Sequence, residues 1–452
     1  MKRKAPRSQF DVMTKTPIWR LILSLSAPAI ISMVVTNIYN LVDTAFVGQL
    51  GTSASGAVGI VFGFMSVIQA IGFLFGQGAG SILSRALGKR DRDNASLHAS
   101  LGFVSSFAFG LLITIFGFIG LDFIIDFLGS TSTIAPYART YISFILIAAP
   151  FMTSSLTLNN LLRYEGKAAL GMIGLMTGAV LNMAGDPLFM FTLNMGIAGA
   201  GLSTALSQII SFGILLGMFL RKKTESRISL RVLRRGSPAV LGNIMATGFP
   251  SLLRQALNSL VTVLLNTQCR PYGDEAIAAM SIVSRIIFFA FSVALGVGQG
   301  FQPVAAFNYG AREYSRLKRG YYFTCLMSEG IVAAACIFLA LFPAELVSLF
   351  RDDPRVIEIG ARALRLQAWA TLLLPPCMVT EMLFQSTGKK LGATLLSAMR
   401  SGLLFIPALF ILAYFRGLDG IQEAQPLALV LSVPLTVPFV VWFFRKLPKE
   451  TN

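Results

Sequence analysis

Four acidic side chains lie inside long apolar stretches of this 452-residue chain: Asp43, Asp186, Glu329 and Glu381. Burying a carboxylate at the centre of a lipid bilayer costs about 2.5–3.5 kcal/mol on insertion scales. Such residues usually face the interior of a helix bundle or a water-filled cavity, where a carboxyl group can take up and release a proton or bind sodium through its oxygens. The four acids are therefore the first candidates for a functional role.

Asp43 and Asp186 have polar neighbours at helical spacing. Tyr39 and Asn40 precede Asp43 by four and three residues, so the three side chains share one helix face. Asn182 lies one turn before Asp186, and the proline that follows Asp186 removes a backbone donor, which leaves carbonyl oxygens that can face an ion. These residues predict a binding site for a proton or a sodium ion. A hydrogen bond made only for helix packing is the alternative.

The elements that position these residues must cross a membrane, because the chain is too apolar for a soluble protein. Hydrophobic residues make up 54% of it and charged residues 13%, against about 25% charged in soluble domains. Backbone groups in lipid must be satisfied internally, and the apolar stretches lack strand-like alternation, so helices are expected. The sequence predicts an all-α integral membrane protein with twelve transmembrane helices, at residues 18–48, 55–84, 97–125, 133–161, 168–193, 197–220, 238–268, 275–305, 319–348, 356–386, 390–415 and 425–445.

The positive charge of the chain follows the loops between these helices. Lys and Arg number 38 against 21 Asp and Glu, a formal net charge of +17 that would suggest a nucleic-acid partner in a soluble chain. Here 28 basic residues fall on the side of the N-terminal tail, 7 on the opposite side, and Arg254, Arg285 and Arg400 within the spans. By the positive-inside rule we expect a multi-pass protein of the inner (cytoplasmic) membrane with both termini in the cytoplasm, and no nucleic-acid partner.

The second half of the chain repeats the first at a constant shift of 222 residues. The matches are Gly76-Gln77-Gly78 with Gly298-Gln299-Gly300, Arg90 with Arg312, Pro28 with Pro250, Gly51 with Gly273, Gly88 with Gly310, and Gly166-Lys167 with Gly388-Lys389. Six predicted helices belong to each copy, so the copies share one topology. Parallel repeats of this kind occur in transporters, and they place two bundles on either side of a central cleft that can open to both sides of the membrane.

The repeat and the most polar stretch in the middle of the chain define the predicted domains. Residues 18–220 form an N-lobe of six helices, and residues 238–446 form a C-lobe. A cytoplasmic linker joins them at 221–237, and residues 1–17 and 447–452 are predicted cytoplasmic tails. We therefore expect two pseudo-symmetric six-helix bundles.

Polar side chains at the depth of the cleft are candidates for contact with the transported compound. Asn159 and Asn160 place amides near the end of the fourth span, and Glu381 occupies the position that matches Asn159 in the second half. The residues assigned to the substrate cleft are Asn40, Asn160, Glu381 and the glutamines of the repeated tripeptide, Gln77 and Gln299.

Pro28 is the candidate gating residue. It lies midway along the long first span, where a proline frees a carbonyl and kinks the helix about four turns before Asp43. A kink that only shapes packing is the alternative. For Glu329, which has no evident partner, an interhelical or interfacial contact is the favoured interpretation.

The sequence predicts no cofactor and no transition-metal site. The four cysteines lack CxxC spacing and there is a single histidine, so neither a zinc site nor a Ser-His-Asp triad is expected. The ions expected to bind are H⁺ or Na⁺, with sodium possible at Asp43, Asp186 and Asn182.

The motifs together resemble the multidrug and toxic compound extrusion (MATE) family, close to its bacterial MepA-like and DinF-like members. The resemblance covers most of the chain and rests on the stretches PAIISMVVTNIYNLVDTAFVGQLG, GFLFGQGAGSILSRALGKRD, NNLLRYEGKA, NMAGDPLFMF, GFPSLLRQALNS, AIAAMSIVSRI and GQGFQPVAAFNYGAREYSRLK. It implies two six-helix lobes around a V-shaped cleft and a cation-coupled drug antiporter rather than an enzyme. Such a protein would exchange small organic cations, held by aromatic and apolar contacts, across the bilayer, and we expect it to be a monomer.

The resemblance also implies roles for particular residues. The coupling residues of the family correspond to Asp43, Tyr39, Asn159, Asn182 and Asp186, and its kinking proline corresponds to Pro28. Some members use a carboxylate in the seventh helix, where this chain has Arg254, Gln255, Asn258 and Ser259 but no acid. A sodium site of that type in the C-lobe is therefore in doubt.

Three other functions compete with efflux. A lipid-linked oligosaccharide flippase of the same superfamily would need several basic residues within the spans, and only three are present, none repeated at the shift. An intramembrane aspartyl protease would need GxGD, whereas Met183 stands where that motif requires its first glycine. A simple channel is disfavoured because no filter motif is present.

Overall fold

The structure is a computed structural model that describes residues 8–229, 231 and 236–448. Throughout these residues the regular secondary structure is helical and no strand occurs. The predicted tails and linker lie partly outside the described residues, at 1–7, 230, 232–235 and 449–452. The all-α prediction is confirmed.

Sixteen α-helices carry the described chain. In the first half they are α1 (Gln9–Lys15), α2 (Ile18–Gly48), α3 (Thr52–Gly88), α4 (Arg92–Ile119), α5 (Leu121–Phe127), α6 (Ala135–Tyr164), α7 (Ala168–Pro187) and α8 (Ile197–Leu220). In the second half they are α9 (Pro238–Cys269), α10 (Asp274–Gly310), α11 (Tyr314–Leu341), α12 (Pro343–Ser348), α13 (Pro354–Thr371), α14 (Leu374–Ser386), α15 (Lys390–Ala398) and α16 (Phe405–Arg445). A π-helical turn follows α7 at Leu188–Thr192, another joins α15 to α16 at Met399–Leu404, and a 3₁₀ turn follows α9 at Arg270–Tyr272.

Several of these helices are long and apolar enough to cross a bilayer. In the described chain nine helical segments meet that requirement, and one of them, Lys390–Arg445, has 56 residues, enough length for two crossings. Large apolar side chains such as Phe116, Ile119 and Leu326 are more than half exposed, as expected of surfaces that contact lipid. The chain is therefore a membrane protein.

The second half departs from the predicted helix boundaries in three places. The predicted ninth span is interrupted at Phe342, and the predicted tenth span is interrupted at residues 372–373, so that α13 and α14 are separate. The loop expected at 416–424 is helical except at Gly417, whose φ of 61° and ψ of −133° turn the chain. Apolar composition gives the length of such segments, but it does not reveal a turn that a single glycine makes inside a helix.

The repeat predicted from the sequence recurs in the backbone geometry. Gly166 and Gly388 both have φ of 79°, in the left-handed region that favours glycine. Arg90 and Arg312, which are also 222 residues apart, have φ of 61° and 64°. The identical residues thus mark turns that the two halves make in the same way.

The chain divides into two compact units that exchange parts of two helices. Unit one comprises residues 1–15 and 31–252, and unit two comprises residues 16–30 and 253–452. The first part of α2 therefore packs within unit two, and the first part of α9 packs within unit one. The lobe boundaries drawn from the sequence at 18–220 and 238–446 stay a prediction about the repeat rather than a description of these units.

The repeated Gly-Gln-Gly lies where the exchanged helix parts make their closest contacts. A Cβ on Gly78 would stand 2.2 Å from the carbonyl oxygen of Ile244 in α9, within unit one. A Cβ on Gly300 would stand 2.2 Å from the Ser26 hydroxyl and 2.5 Å from the Ser26 backbone nitrogen in α2, within unit two. Only glycine permits this approach, so the motif is repeated because the same crossing is made twice.

The core of unit one surrounds α6. In the most apolar stretch of α6, 72% of the residues are buried, against 22–44% in the other candidate spans. Tyr141, Ile145 and Ala149 on this helix pack with α3 and α8 residues such as Val61 and Ala200. This helix is therefore the central scaffold of the unit.

The core of unit two has no comparable central helix. Buried side chains from several helices share it, among them Val283 of α10, Met378 and Met382 of α14, and Leu409 and Ile421 of α16. Burial of these side chains is the main stabilising contribution.

Glu165, directly after α6, fastens two separate segments onto unit one. Its fully buried carboxylate accepts hydrogen bonds from the backbone N–H groups of Glu225 and Ser226, both at 2.9 Å, and from the Ser226 hydroxyl. Its carbonyl oxygen accepts a 2.8 Å bond from Gln9 of α1. Burial raises the pKa of the Glu165 carboxyl, against the opposite effect of the hydrogen bonds from Ser226 and Glu225. The start of the linker and the N-terminal helix thus meet at one residue.

Candidate functional site

Two helices of unit one bring the predicted aspartates together. Asp43 lies on α2 and Asp186 at the end of α7, 143 positions apart in the chain, and their carboxyl groups stand within hydrogen-bonding distance of each other. Both residues are buried, with 8% and 0% exposure. A hydrogen bond between two carboxyl groups requires a proton on one of them, because an ionised carboxylate only accepts.

Asn182 connects this pair to α8. Its Nδ2 donates to Asp186 Oδ1 at 3.3 Å, to Ser203 Oγ at 3.3 Å and to Thr204 Oγ1 at 3.2 Å. The Ser203 hydroxyl in turn donates to the Asn182 carbonyl oxygen at 3.2 Å. The predicted neighbour of Asp186 therefore holds α7 against α8 at the depth of the carboxyl pair.

Three oxygens of the cluster have no hydrogen-bond partner among the described residues. They are Asp43 Oδ1, Asn182 Oδ1 and Asp186 Oδ2, all buried. A buried carboxylate or amide oxygen without a partner is costly, so a site of this kind favours a bound cation or proton. Carboxylate and amide oxygens are suitable ligands for a hard cation such as Na⁺.

Glycine and proline shape the backbone around Asp186. A Cβ on Gly185 would stand 2.5 Å from Ser203 Oγ, so glycine at this position allows α7 and α8 to approach. Pro187 has no backbone N–H, and the helix continues past it as the π-helical turn Leu188–Thr192. Irregular turns of this type recur at functional sites in helices.

Two tyrosines complete the surroundings of the pair. Tyr39, predicted from its spacing, is half-buried and lies within electrostatic reach of both carboxyl groups. Tyr141 of α6 is 1% exposed, is hydrogen-bonded to Thr204, and lies within reach of Asp43. The sequence reasoning identified the first tyrosine and missed the second.

Ser203, Thr204 and Tyr141 were not predicted, although a signal existed for α8. Ser203, Ser207 and Ser211 follow one another at intervals of four residues in an otherwise apolar helix, so they form a polar stripe on one face. Ser211 donates to the Gly174 carbonyl oxygen of α7 at 2.9 Å, which shows that the stripe faces α7. No such pattern surrounds Tyr141.

Asn159 and Asn160 do not join the carboxyl pair. A Cβ on Gly171 would stand 2.7 Å from Asn159 Nδ2, and Gly171 is fifteen residues before Asp186 on α7, about 22 Å along the helix. Asn160 donates to the Leu156 carbonyl oxygen at 2.7 Å and accepts from Arg163. The coupling role expected of Asn159 therefore stays a prediction without a direct contact to Asp43 or Asp186.

The other predicted residues are spread over the two units. Asn40 is half-buried on α2, one turn from Asp43, and Gln77 accepts a 2.8 Å bond from Ser251 in unit one. Gln299 is buried in unit two, and Pro28 lies in the part of α2 that belongs to unit two.

Unit two contains a buried ion pair where the sequence offered only separate charges. Arg254 Nη1 of α9 lies 2.5 Å from Glu381 Oε1 of α14, with side-chain exposures of 8% and 3%. Glu381 therefore has a counter-charge of its own. Glu329 of α11 is half-buried and forms no salt bridge among the described residues.

Comparison with known proteins settles the family. The MatE family model matches residues 28–188 and 250–411, one match in each half of the chain. The chain belongs to the MATE family. Its matches begin at Pro28 and at Pro250, which is the repeat shift read from the sequence.

Named relatives of this MATE chain are exporters. It is 27% identical over 440 residues to the multidrug export protein MepA of Staphylococcus haemolyticus, covering 97% of this chain and 96% of the relative. It is 26% identical to the protein of the same name from Staphylococcus aureus, with the same coverage. This similarity identifies the chain as a multidrug export protein of the MATE type and confirms the resemblance seen in its motifs.

Solved MATE structures share the fold over the full length. An outward-facing multidrug resistance MATE transporter of the MOP superfamily superposes with a TM-score of 0.92 at 26% identity, covering 99% of this chain and 100% of that one. A MOP superfamily transporter from Pyrococcus furiosus gives the same values. The all-α membrane fold of this type is therefore confirmed.

Proposed function

We propose that this MATE protein is a cation-coupled multidrug efflux antiporter that exports amphipathic organic cations. The contact between Asp43 and Asp186 carries the proposal. Two carboxyl groups in direct contact inside an apolar bundle need a cation between them, and both a proton and Na⁺ meet that need. The names of the relatives support export of drugs, and the carboxyl pair supports coupling of that export to an ion gradient.

In the proposed cycle, a proton or Na⁺ enters from outside and binds around Asp43 and Asp186, with Asn182 as a further ligand. Loading of the pair either displaces the bound drug or favours the inward-open state, and unloading reverses the step. Because the pair and its ligands sit on α2, α7 and α8, a change of charge there acts directly on how these helices pack. Pro28, in the same helix as Asp43, is proposed to act as the hinge.

The basic loops support a position in the cytoplasmic membrane with both termini inside. The 28 basic residues on the side of the N-terminal tail, against 7 on the other, give the orientation that the positive-inside rule assigns. We propose that the protein works there as a monomer without a cofactor.

Transport by purified protein in liposomes tests the coupling site. A proton gradient and a sodium gradient are imposed separately, and export of ethidium is followed for wild type, Asp43→Asn and Asp186→Asn. We expect export by the wild type under one or both gradients, and at least a ~10-fold loss in both variants, because each removes the negative charge that the cation neutralises.

Asp122→Asn is the matched control. Asp122 is an exposed aspartate in unit one that forms a salt bridge with Arg139. We expect it to export ethidium at the wild-type rate. Full gradient-driven export by Asp43→Asn, with normal insertion into the liposomes, would show that the pair is not the coupling site.

A further inference from the structure

The charges inside unit two do not balance. Arg400 lies in the π-helical turn Met399–Leu404 and interacts electrostatically with both Arg254 and Glu381. An arginine side chain stays protonated in proteins, so two guanidinium groups share one carboxylate. The cluster carries one positive charge in excess.

Arg400 has no salt-bridge partner within 4 Å among the described residues, whereas Glu381 is taken by Arg254 at 2.5 Å. Its guanidinium stands 5.6 Å above the centre of the Phe291 ring of α10. A buried positive charge that lacks a counterion is expensive, and a cation–π contact offsets only about 0.5–2 kcal/mol. Arg400 therefore retains the capacity to bind an anion.

The surroundings of Arg400 provide further donors and access. Ser401, next to it, donates to Asn258 Oδ1 at 3.5 Å, and Asn258 lies one turn from Arg254 on α9. Arg400, Ser401 and Asn258 are all only half-buried, so a ligand can reach them. The planar guanidinium fork suits the two oxygens of a carboxylate, and the Phe291 ring suits an aromatic group next to it.

We propose that unit two contains a second binding site, centred on Arg400, for the carboxylate of an aromatic, zwitterionic substrate. Arg254 contributes to the positive field of this site, and Glu381 competes with the incoming carboxylate for that residue. The site extends the substrate range beyond the simple organic cations of the proposed function, and it involves none of the residues of the carboxyl pair in unit one.

Two dyes that differ only in a carboxylate test this site. Rhodamine 110 carries a free carboxylate, and rhodamine 123 is its methyl ester, so both share the same cationic ring system. Binding of each dye to the purified full-length protein is measured by fluorescence polarisation without any ion gradient. The readout is the ratio of the two dissociation constants in one sample, which partial unfolding does not change.

The expected result is a wild-type preference for rhodamine 110 that falls by ~10-fold in Arg400→Gln, which is the loss expected for one charge-assisted hydrogen-bonded pair. Arg400→Lys keeps the charge without the fork, so an intermediate loss of ~3-fold is expected. Glu381→Gln releases Arg254 from its pair and is expected to increase the preference. A purely structural role for the cluster would not move the ratio in opposite directions.

Arg362→Gln is the matched control, because it removes a positive charge from an exposed pair with Asp419 elsewhere in unit two. It is expected to leave the ratio unchanged. An equal ratio in wild type and Arg400→Gln, or no binding of rhodamine 110 to the wild type, overturns the proposal. Failure here leaves gradient-driven ethidium export by the wild type intact, whereas failure of the proposed function abolishes that export and leaves the dye ratio unaffected.

Discussion

The two units of the molecule bury charge in opposite ways. In unit one, Asp43 and Asp186 are two acids in contact, with no basic side chain among the groups found to act on them. In unit two, Glu381 is paired with Arg254 at 2.5 Å, and Arg400 adds a further positive charge. A cluster of one sign must bind a mobile counter-charge, whereas an ion pair brings its own.

This difference also separates ion dependence from stability. The state of the acid pair depends on the proton or sodium concentration, so it is suited to couple transport to a gradient. The Arg254–Glu381 pair is held by fixed charges within the protein, so it contributes to packing and orientation whatever the gradient. A repeated architecture can thus place a titratable site in one copy and a permanent ion pair in the other.

The largest effect on stability is expected when the ion pair in unit two is broken. Arg254→Met leaves the Glu381 carboxylate buried without a partner, which should lower the free energy of unfolding by about 3–5 kcal/mol. The double variant Arg254→Met with Glu381→Leu should recover most of that loss. Thermal unfolding in detergent, followed by size exclusion, measures both.

Asp43→Asn in unit one sharpens this comparison. It removes one of two acids in contact and should leave stability unchanged or increase it by up to about 1 kcal/mol. A loss as large as that of Arg254→Met would mean that the acid pair is a structural element like the ion pair.

A smaller and equal effect in both units is expected at the repeated glycines. Gly78→Ala and Gly300→Ala each force a methyl group against the exchanged part of α9 or α2, which should cost about 1–3 kcal/mol. Gly63→Ala on α3 has open space around its Cβ and should be neutral or slightly stabilising. The same unfolding measurement applies, and a cost confined to one repeat would contradict the equivalence of the two crossings.

The smallest effect is expected at Glu165, which has no acidic counterpart in unit two because Thr387 occupies the matching position. Glu165→Gln loses part of the acceptor capacity that holds Glu225 and Ser226, at a cost of about 1.5–3 kcal/mol to local docking. Amide hydrogen exchange of residues 224–229 should accelerate by ~10-fold or more.

Glu225→Gln is the control for this experiment. Glu225 forms a more exposed pair with Arg92 at 2.7 Å, worth less than about 1 kcal/mol. If both variants accelerate exchange equally, the buried carboxylate of Glu165 is not what fastens the linker.

Much of the fold could be predicted from sequence because it depends on local composition. A long apolar run must be helical in lipid, so the ends of α2, α8 and α9 were predicted to within a few residues. The helix breaks at Phe342 and Gly417 were missed, since an apolar segment looks the same whether or not it turns.

The candidate site was predictable in its residue types and less so in its contacts. Asp43, Asp186 and Asn182 were identified because acids and amides are costly in a membrane span. Asn159 and Asn160 meet the same criterion, yet they pack elsewhere, because depth in the sequence does not specify which helix face meets which neighbour.

By itself the sequence determined the membrane helices, their basic loops, the two-fold repeat and the resemblance to MATE transporters, because each depends on residues close together in the chain or on motifs compared directly. Only the tertiary structure decided that Asp43 meets Asp186, that Arg254 meets Glu381, and that parts of α2 and α9 are exchanged between the units. These contacts join residues more than a hundred positions apart. They depend on how helix surfaces fit together in space, which no local pattern of residues specifies.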